Sequence, residues 1–336
     1  VRVISCITGN PILYYPLLIL GAIWLLREAV TVLNGIRVFI LRKRCDLLKR
    51  YGRDSWVVVT GASDGIGKGF CEEFAAQGFN VALIARNHAK LSNVEAEIKK
   101  INPNIRTKII IADFSESATP NFFDKIHKQL EDLDISILVN NVGVGTDQFF
   151  HECDEKILLG LSVINTLPMV MLIKKIAPAL MARYRRSAII NVGSFAGTNP
   201  LPLFGPYSAS KAHTNYFSKA LSYEVDRKID VMAFAPMYVA TNLSGQKEGI
   251  EAISVKQSVD GCLMDLGRTD FTFGHWIHKL QAYITAWIPE WFRTMMLLKI
   301  GPQKLKETNK GNLKREQYSQ HSQRNGQNVL SSIFQY

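Results

Sequence analysis

Tyr207 and Lys211 stand four residues apart in Tyr207-Ser208-Ala209-Ser210-Lys211, a spacing that puts both side chains on one face of a helix. A phenol with a pKa of about 10 is a poor acid–base at neutral pH. A neighbouring ammonium favours the phenolate and brings that pKa toward the working range. Lys211 therefore has two jobs open to it: tuning Tyr207 and gripping the ribose of a bound nucleotide. Ser194 lies 13 residues upstream, after the apolar run Ala188 to Val192. Its hydroxyl is suited to hold a carbonyl oxygen while Tyr207 delivers a proton. The chemistry these three imply is interconversion of a carbonyl and an alcohol.

Such a reaction needs a hydride carrier, and a nucleotide-binding pattern precedes the triad. Thr60-Gly61-Ala62-Ser63-Asp64-Gly65-Ile66-Gly67 follows the apolar run Trp56 to Val59 and opens a helical stretch. Gly61, Gly65 and Gly67 permit a sharp turn and let the backbone approach a pyrophosphate, whose charge then sits on the helix N-terminus. Ser63, Asp64 and Ile66 complete the loop. Sites for NAD place a carboxylate about 20 residues further on, at the end of the second strand. Here that position reads Ile84-Ala85-Arg86-Asn87. With no carboxylate and a guanidinium available, the expected cofactor is NADPH, with Arg86 reading its 2′-phosphate.

The remaining chemistry-bearing residues point nowhere else. Cys6, Cys45, Cys71, Cys153 and Cys262 are scattered and form no CxxC pair, which argues against a disulfide framework or a zinc site. His275 and His278 stand three apart with no third ligand, so no metal is expected and both read as surface or interface histidines. The net charge of +11 invites a nucleic-acid partner, but the basic residues are not interleaved with aromatics, so no nucleic acid is expected.

The elements that must position these groups alternate. Strand-like runs (Trp56 to Val59, Val81 to Ile84, Thr107 to Ile111, Ile135 to Val139, Ala188 to Val192, Asp230 to Phe234) are separated by helical ones at Lys68 to Gln77, Ala89 to Lys100, Phe122 to Leu130, Leu158 to Tyr184 and Tyr207 to Asp226. Apolar strands alternating with helices predict an α/β fold: a Rossmann-type doubly wound parallel sheet covered on both faces. This domain is expected over residues 55–270.

Both ends differ in character. Val3 to Leu26 carries no charge, long enough for a spanning helix of about 20 residues, although Pro11 and Pro16 interrupt its start. A second apolar stretch, Ala29 to Ile40, follows Arg27-Glu28, so one tilted span and a span followed by an interfacial helix both fit. A signal peptide would need a more basic start and a small-residue cleavage site. Arg37, Arg42, Lys43, Arg44, Lys49, Arg50 and Arg53 follow, against Asp46. That excess predicts a cytosol-facing domain. Residues 1–54 thus read as a membrane anchor and basic linker. Residues 271–302, rich in Trp276, Tyr283, Trp287, Trp291 and Phe292, read as an apolar helical segment, whether a membrane-interface helix, a cap over an apolar tunnel or a core helix. Residues 303–336 are polar and basic and are expected to be disordered.

Taken together, the glycine loop, Asn140-Asn141-Val142-Gly143, Ser194 and Tyr207-x-x-x-Lys211 stand in an order and at a spacing that resembles the short-chain dehydrogenase/reductase family. The resemblance covers about Ser55 to Leu243. It implies that Asn141 and Gly143 steady the sheet beside the cofactor, that Asp113 holds the adenine and that Thr241 joins the cofactor contacts. It implies also that Asn165 is a fourth catalytic residue, holding a water in the proton relay. The apolar leader, Asp64, Val142 and Pro236-Met237-Tyr238-Val239-Ala240-Thr241 resemble one subgroup of that family. It comprises the very-long-chain 3-oxoacyl-CoA reductases and related 17β-hydroxysteroid dehydrogenases of the endoplasmic reticulum. Met237 departs from the family's commoner Pro-Gly, and the ending Ser331 to Tyr336 departs from the lysine-based retrieval signal common among members. The resemblance implies a lipid-like substrate, a long-chain 3-oxoacyl-CoA or a steroid, residence in the endoplasmic reticulum membrane, and a homodimer through the long helices.

Overall fold

The computed structural model describes residues 10–40, 45–146, 148–225, 228–249 and 252–299. The polar tail at 303–336 lies outside the described residues. Two compact units divide the chain, one ending at Arg44 and the other starting at Cys45.

Among the described residues the first unit is a single helix, α1 (Pro11–Ile40). Asn10 caps it by accepting the Ile12 amide at 3.1 Å. Pro11 occupies the first turn, where a missing N–H costs nothing. Pro16 and the Arg27-Glu28 pair do not interrupt the helix, so the two apolar stretches of the sequence are one continuous element. The 20 residues Tyr14–Leu33 are long and apolar enough to cross a membrane, and none of that window is buried.

The second unit is built on seven parallel strands: β1 (Trp56–Thr60), β2 (Asn80–Ala85), β3 (Thr107–Ile111), β4 (Ile135–Asn140), β5 (Ser187–Val192), β6 (Ile229–Phe234) and β7 (Phe271–Thr272). Their order is β3-β2-β1-β4-β5-β6-β7. The chain reverses direction across the sheet between β1 and β4, and that switch point is where such sheets bind ligands. Every residue of β1, β2, β4 and β5 is buried, as parallel strands covered on both faces require.

Alternation along the strands feeds two cores. Val57, Val59, Val81 and Leu83 face one side with Phe70, Phe74 and Val259. These come from α3 (Gly65–Gln77) and α8 (Val255–Asp265), and α4 (His88–Ile101) adds Leu91 and Ile98. Val58, Ala82 and Ile84 face the other side, covered by α5 (Phe122–Leu130), α6 (Glu155–Ala182) and α7 (Gly205–Glu224). Helix α6 is also apolar enough to pass for a span. However, Met169, Leu172, Ile173, Ile176 and Leu180 lie in this core, which makes it a sheet-covering helix.

Two boundaries shift from those expected. A short helix, α2 (Leu47–Tyr51), buries Leu47 and Tyr51 in the first core, so the catalytic unit begins at Cys45, ahead of residue 55. Asp230 accepts from the Tyr51 hydroxyl at 2.8 Å, from Arg50 at 2.7 Å and from Arg186 at 2.9 Å. Burial works to raise the Asp230 pKa, but these donors outweigh it and hold the carboxylate below its usual range. Arg50 is therefore the partner of a core carboxylate as well as a basic flank. At the far end, β7 extends the sheet past residue 270, and α9 (Trp276–Trp287) and a helix over 290–299, α10, follow it. Strand β7 is two residues long and leaves no sequence signal, and helix α8 signals only its start, through the Ser254–Gln257 capping box, before a weakly apolar run with Asp260 and Gly261.

Candidate active site

The glycine loop bridges β1 and α3 at the switch point. Gly61 and Gly65 have φ of +65° and +55°, a region that a side chain disfavours. Gly67 is fixed by close approach: a Cβ there would lie 2.2 Å from the Gly61 carbonyl oxygen and 2.5 Å from Asn141 Nδ2. Asn141 donates to Thr60 O at 3.0 Å and Gly61 O at 3.3 Å, so the β4 loop is laced to the glycine loop. Asp64 caps α3, accepting from the Gly65 amide at 2.7 Å and from Asn242 Nδ2 at 2.5 Å. Ser63 sits half-buried in the turn, and Ile66 packs against the first core. Thr241 closes over this loop, its methyl 3.2 Å from where a Gly65 Cβ would stand. A cavity of about 690 Å³ opens beside it, between α3 and the 240–247 loop, lined by Asp64, Lys68, Thr241, Asn242, Gln246 and Lys247 among others.

Arg86 leaves the end of β2 with its side chain 75% exposed, and its nearest charged partner is Asp113 at 4.0 Å. Asp113 caps the turn after β3 by accepting from Ser115 N and Oγ at 3.0 and 2.8 Å. Those bonds and Arg86 lower its pKa. The two residues follow the C-terminal ends of the neighbouring strands β2 and β3.

Ser194, Tyr207, Lys211 and Asn165 come together at the ends of β4 and β5. Ser194 caps the turn after β5, accepting from Ala196 N at 3.2 Å. Burial raises the Tyr207 pKa, the hydrogen bond with Ser194 pulls it back, and Tyr238 pushes it further up. Lys211 stands beside the phenol, as the four-residue spacing predicts. Its Nζ lies 5.8 Å from the Tyr207 ring centre and donates to Val192 O at 2.9 Å. Lys211 is itself buried, and desolvation pushes its pKa down to about 8. Burial is the largest influence on the Tyr207 phenol, which therefore holds its proton at neutral pH.

Asn165 is buried on α6, where it locks the loop after β4. It accepts from Val144 N at 2.8 Å and donates to Val144 O at 2.9 Å and Ser210 Oγ at 2.9 Å. Ser210 donates onward to Tyr207 O at 2.8 Å. Both amide hydrogens of Asn165 are thereby spent on protein groups. Gly143 sits at the junction: a Cβ there would lie 3.3 Å from Asn165 Oδ1 and 3.4 Å from Lys211 Nζ.

Three contributors were not legible beforehand. Ser210 reads in sequence as helix filler, Tyr238 acts on Tyr207 from the loop after β6, and His278, expected at a surface or an interface, is fully buried. His278 Nδ1 accepts from Met237 N at 3.3 Å and Nε2 lies 3.1 Å from Tyr238 O. Only a repeated histidine-three-apart pattern marked it. Among the described residues no group of three or more His, Cys, Asp or Glu could hold a metal.

A parallel sheet with a glycine turn at its switch point and a Ser–Tyr–Lys cluster one strand away defines a dinucleotide-type oxidoreductase. The family model for short chain dehydrogenases matches residues 55–250, and the chain belongs to that family. It is 34% identical over 290 residues to the inactive hydroxysteroid dehydrogenase-like protein 1 of Homo sapiens, covering 82% of this chain and 86% of that one. It is 35% identical over 290 residues to a very-long-chain 3-oxoacyl-CoA reductase of Coccidioides immitis, covering 82% of each. Among solved structures, a short-chain dehydrogenase from Sphingobium yanoikuyae in complex with NADPH superposes with a TM-score of 0.58 at 28% identity, covering 63% of this chain and 83% of that one.

Proposed function

We propose that the chain is a membrane-attached, NADPH-dependent carbonyl reductase acting on a lipid-like ketone, a long-chain 3-oxoacyl-CoA in the first instance. The observation that carries the proposal is the intact cluster of Ser194, protonated Tyr207, buried Lys211 and the Asn165–Ser210 brace. The residues fit NADPH. Gly61, Gly65 and Gly67 hold a turn too tight for side chains, the α3 N-terminus that it opens suits a pyrophosphate, and the end of β2 offers Arg86 with no carboxylate on that strand's end. Arg86 would take the 2′-phosphate, Asp113 the adenine, and Asn141, Gly143 and Thr241 the inner contacts, with Lys211 on the nicotinamide ribose. The cofactor, when bound, supplies hydride to the carbonyl carbon.

The protein groups do the rest. Ser194 holds the carbonyl oxygen, and Tyr207 gives it a proton as negative charge develops there. A raised phenol pKa suits a donor, because the proton is present at neutral pH. Lys211 steadies the resulting phenolate. Asn165 acts here by fixing the 142–144 loop against α7, whichever group resupplies the proton. Support for the acyl-CoA substrate comes from the named reductase relative and from the span-length apolar window of α1, which suits a chain that works on lipid. The basic flank after α1 favours the cytosolic side, and endoplasmic reticulum residence and a homodimer are part of the same reading.

A 17β-hydroxysteroid substrate is the alternative, and a non-catalytic scaffold is the reading that the human relative's name favours. NADPH oxidation by the full chain in detergent, with a long-chain 3-oxoacyl-CoA and a 17-keto steroid compared, separates them. Tyr207→Phe is expected to bind NADPH and lose about 10²–10⁴-fold in turnover. Turnover of the steroid alone would move the substrate. Tight NADPH binding without turnover of either, unchanged by Tyr207→Phe, would sink the enzyme reading.

A further inference from the structure

Helix α9 is amphipathic in the wrong sense for a helix facing water. At 100° per residue, Trp276, Leu280, Tyr283, Ile284 and Trp287 fall on one stripe, and His278 and Ala282 fall opposite. The buried side is the one bearing His278 and Ala282, which are 0% and 7% exposed. The stripe of large apolar side chains is the open one, with Trp276, Leu280, Ile284 and Trp287 each about half exposed. Helix α10 continues it with Trp291, Phe292 and Met296, of which Trp291 is 69% exposed. Isolated exposed apolar residues need no explanation, but a contiguous aromatic strip marks an interaction surface.

We propose that this α9–α10 face docks on a lipid surface. Three observations choose lipid over another occupant. The strip is rich in tryptophan, the residue enriched where apolar chains meet headgroups. The same chain carries the 20-residue apolar window of α1, so a bilayer is at hand at high effective concentration. Residues 301–336 hold six lysines and arginines against two glutamates, the sign that anionic headgroups attract.

The buried side of the same element is tied to the chemistry. His278 grips the backbone of Met237 and Tyr238, and Arg293 on α10 donates to Asn199 Oδ1 at 2.5 Å. Tyr238 contributes to the surroundings of Tyr207, and Asn199 follows the turn that Ser194 caps. The docked element therefore rests on both loops flanking the site. A substrate dissolved in the outer acyl region would meet the site at the bilayer surface, without passing through water.

The test uses the full chain in vesicles of phosphatidylcholine and phosphatidylserine, and reads tryptophan fluorescence. Lipids brominated near the headgroup or near the chain end, and aqueous acrylamide, serve as quenchers. The comparison is with a Trp276→Phe, Trp287→Phe, Trp291→Phe variant, whose rings retain the apolar packing. The fluorescence lost in that variant should be the share quenched by headgroup-proximal bromine and spared by acrylamide. Quenching of that share by acrylamide would place the face in water. Protection from both quenchers would mean that protein covers it, a second copy or a cap. Either result overturns the proposal. Neither depends on turnover, so the outcome stands apart from whether the reductase reading is right.

Discussion

Lys211 gives the sharpest test of the site's electrostatics. It is buried, its ammonium donates to the Val192 carbonyl at 2.9 Å, and desolvation pushes its pKa from 10.5 down to about 8. Below pH 8 the lysine is charged in folded and unfolded chains alike, and the full penalty of burying the ammonium weighs on the fold. Between pH 8 and 10.5 the folded lysine sheds its proton while the unfolded one keeps it, so stability rises with pH. At 1.36 kcal/mol per pKa unit the whole penalty is about 3 kcal/mol, of which about 2 kcal/mol is relieved between pH 7 and 9.5. Lys211→Met removes the penalty at the cost of one hydrogen bond, about 1 kcal/mol. The variant should therefore melt higher than the parent at pH 7 while losing turnover. The difference should shrink toward pH 9.5 by about 4–8 °C for a unit of this size. The assay is thermal unfolding of both proteins in detergent at pH 7, 8 and 9.5 without nucleotide. A variant less stable than the parent by the same margin at every pH would refute the claim that desolvation governs this lysine.

Three further outcomes follow from the geometry. Gly67→Ala forces a methyl to within 2.2 Å of the Gly61 carbonyl oxygen, which should cost about 1–3 kcal/mol in stability and abolish NADPH binding, read by melting and by nucleotide fluorescence. Arg86→Ala should raise the KM for NADPH about 10–100-fold, the worth of a charge-assisted contact, and leave NADH kinetics unchanged; equal effects on both would remove Arg86 from the 2′-phosphate. Asp230→Asn leaves Arg50, Arg186 and Tyr51 without their shared carboxylate. It should destabilise the catalytic unit by about 3 kcal/mol and expose Lys49 and Arg50 to trypsin, whereas wild-type resistance would mean that α2 is held by its apolar contacts alone.

Local chemistry was enough to read much of this protein from its residues. Strand interiors such as Val57-Val58-Val59 and Ile189-Ile190 are apolar on both faces, which only a doubly covered parallel sheet explains. The glycine loop and the Tyr207–Lys211 spacing constrain backbone and helix face within a few residues. Arg86 is informative because dinucleotide sites of this fold read the ribose substituent at the end of the second strand, a position that the sequence alone locates. The span-length run in α1 depends on composition alone.

What required the tertiary structure involves partners far apart in sequence. Tyr51 and Asp230 meet across 179 residues, so the basic linker's end became core. Asn165 finds Ser210 and Val144 through helix packing, which makes it a brace for the β4 loop. The direction of the Tyr207 pKa depends on how dry its surroundings are, and dryness is a property of packing that spacing does not carry. His278 and the aromatic strip of α9 share one periodic segment, and which side faces in was decided by the loop over Met237 and Tyr238. A helical pattern says that two faces exist; only the neighbours determine which of them meets water, lipid or protein.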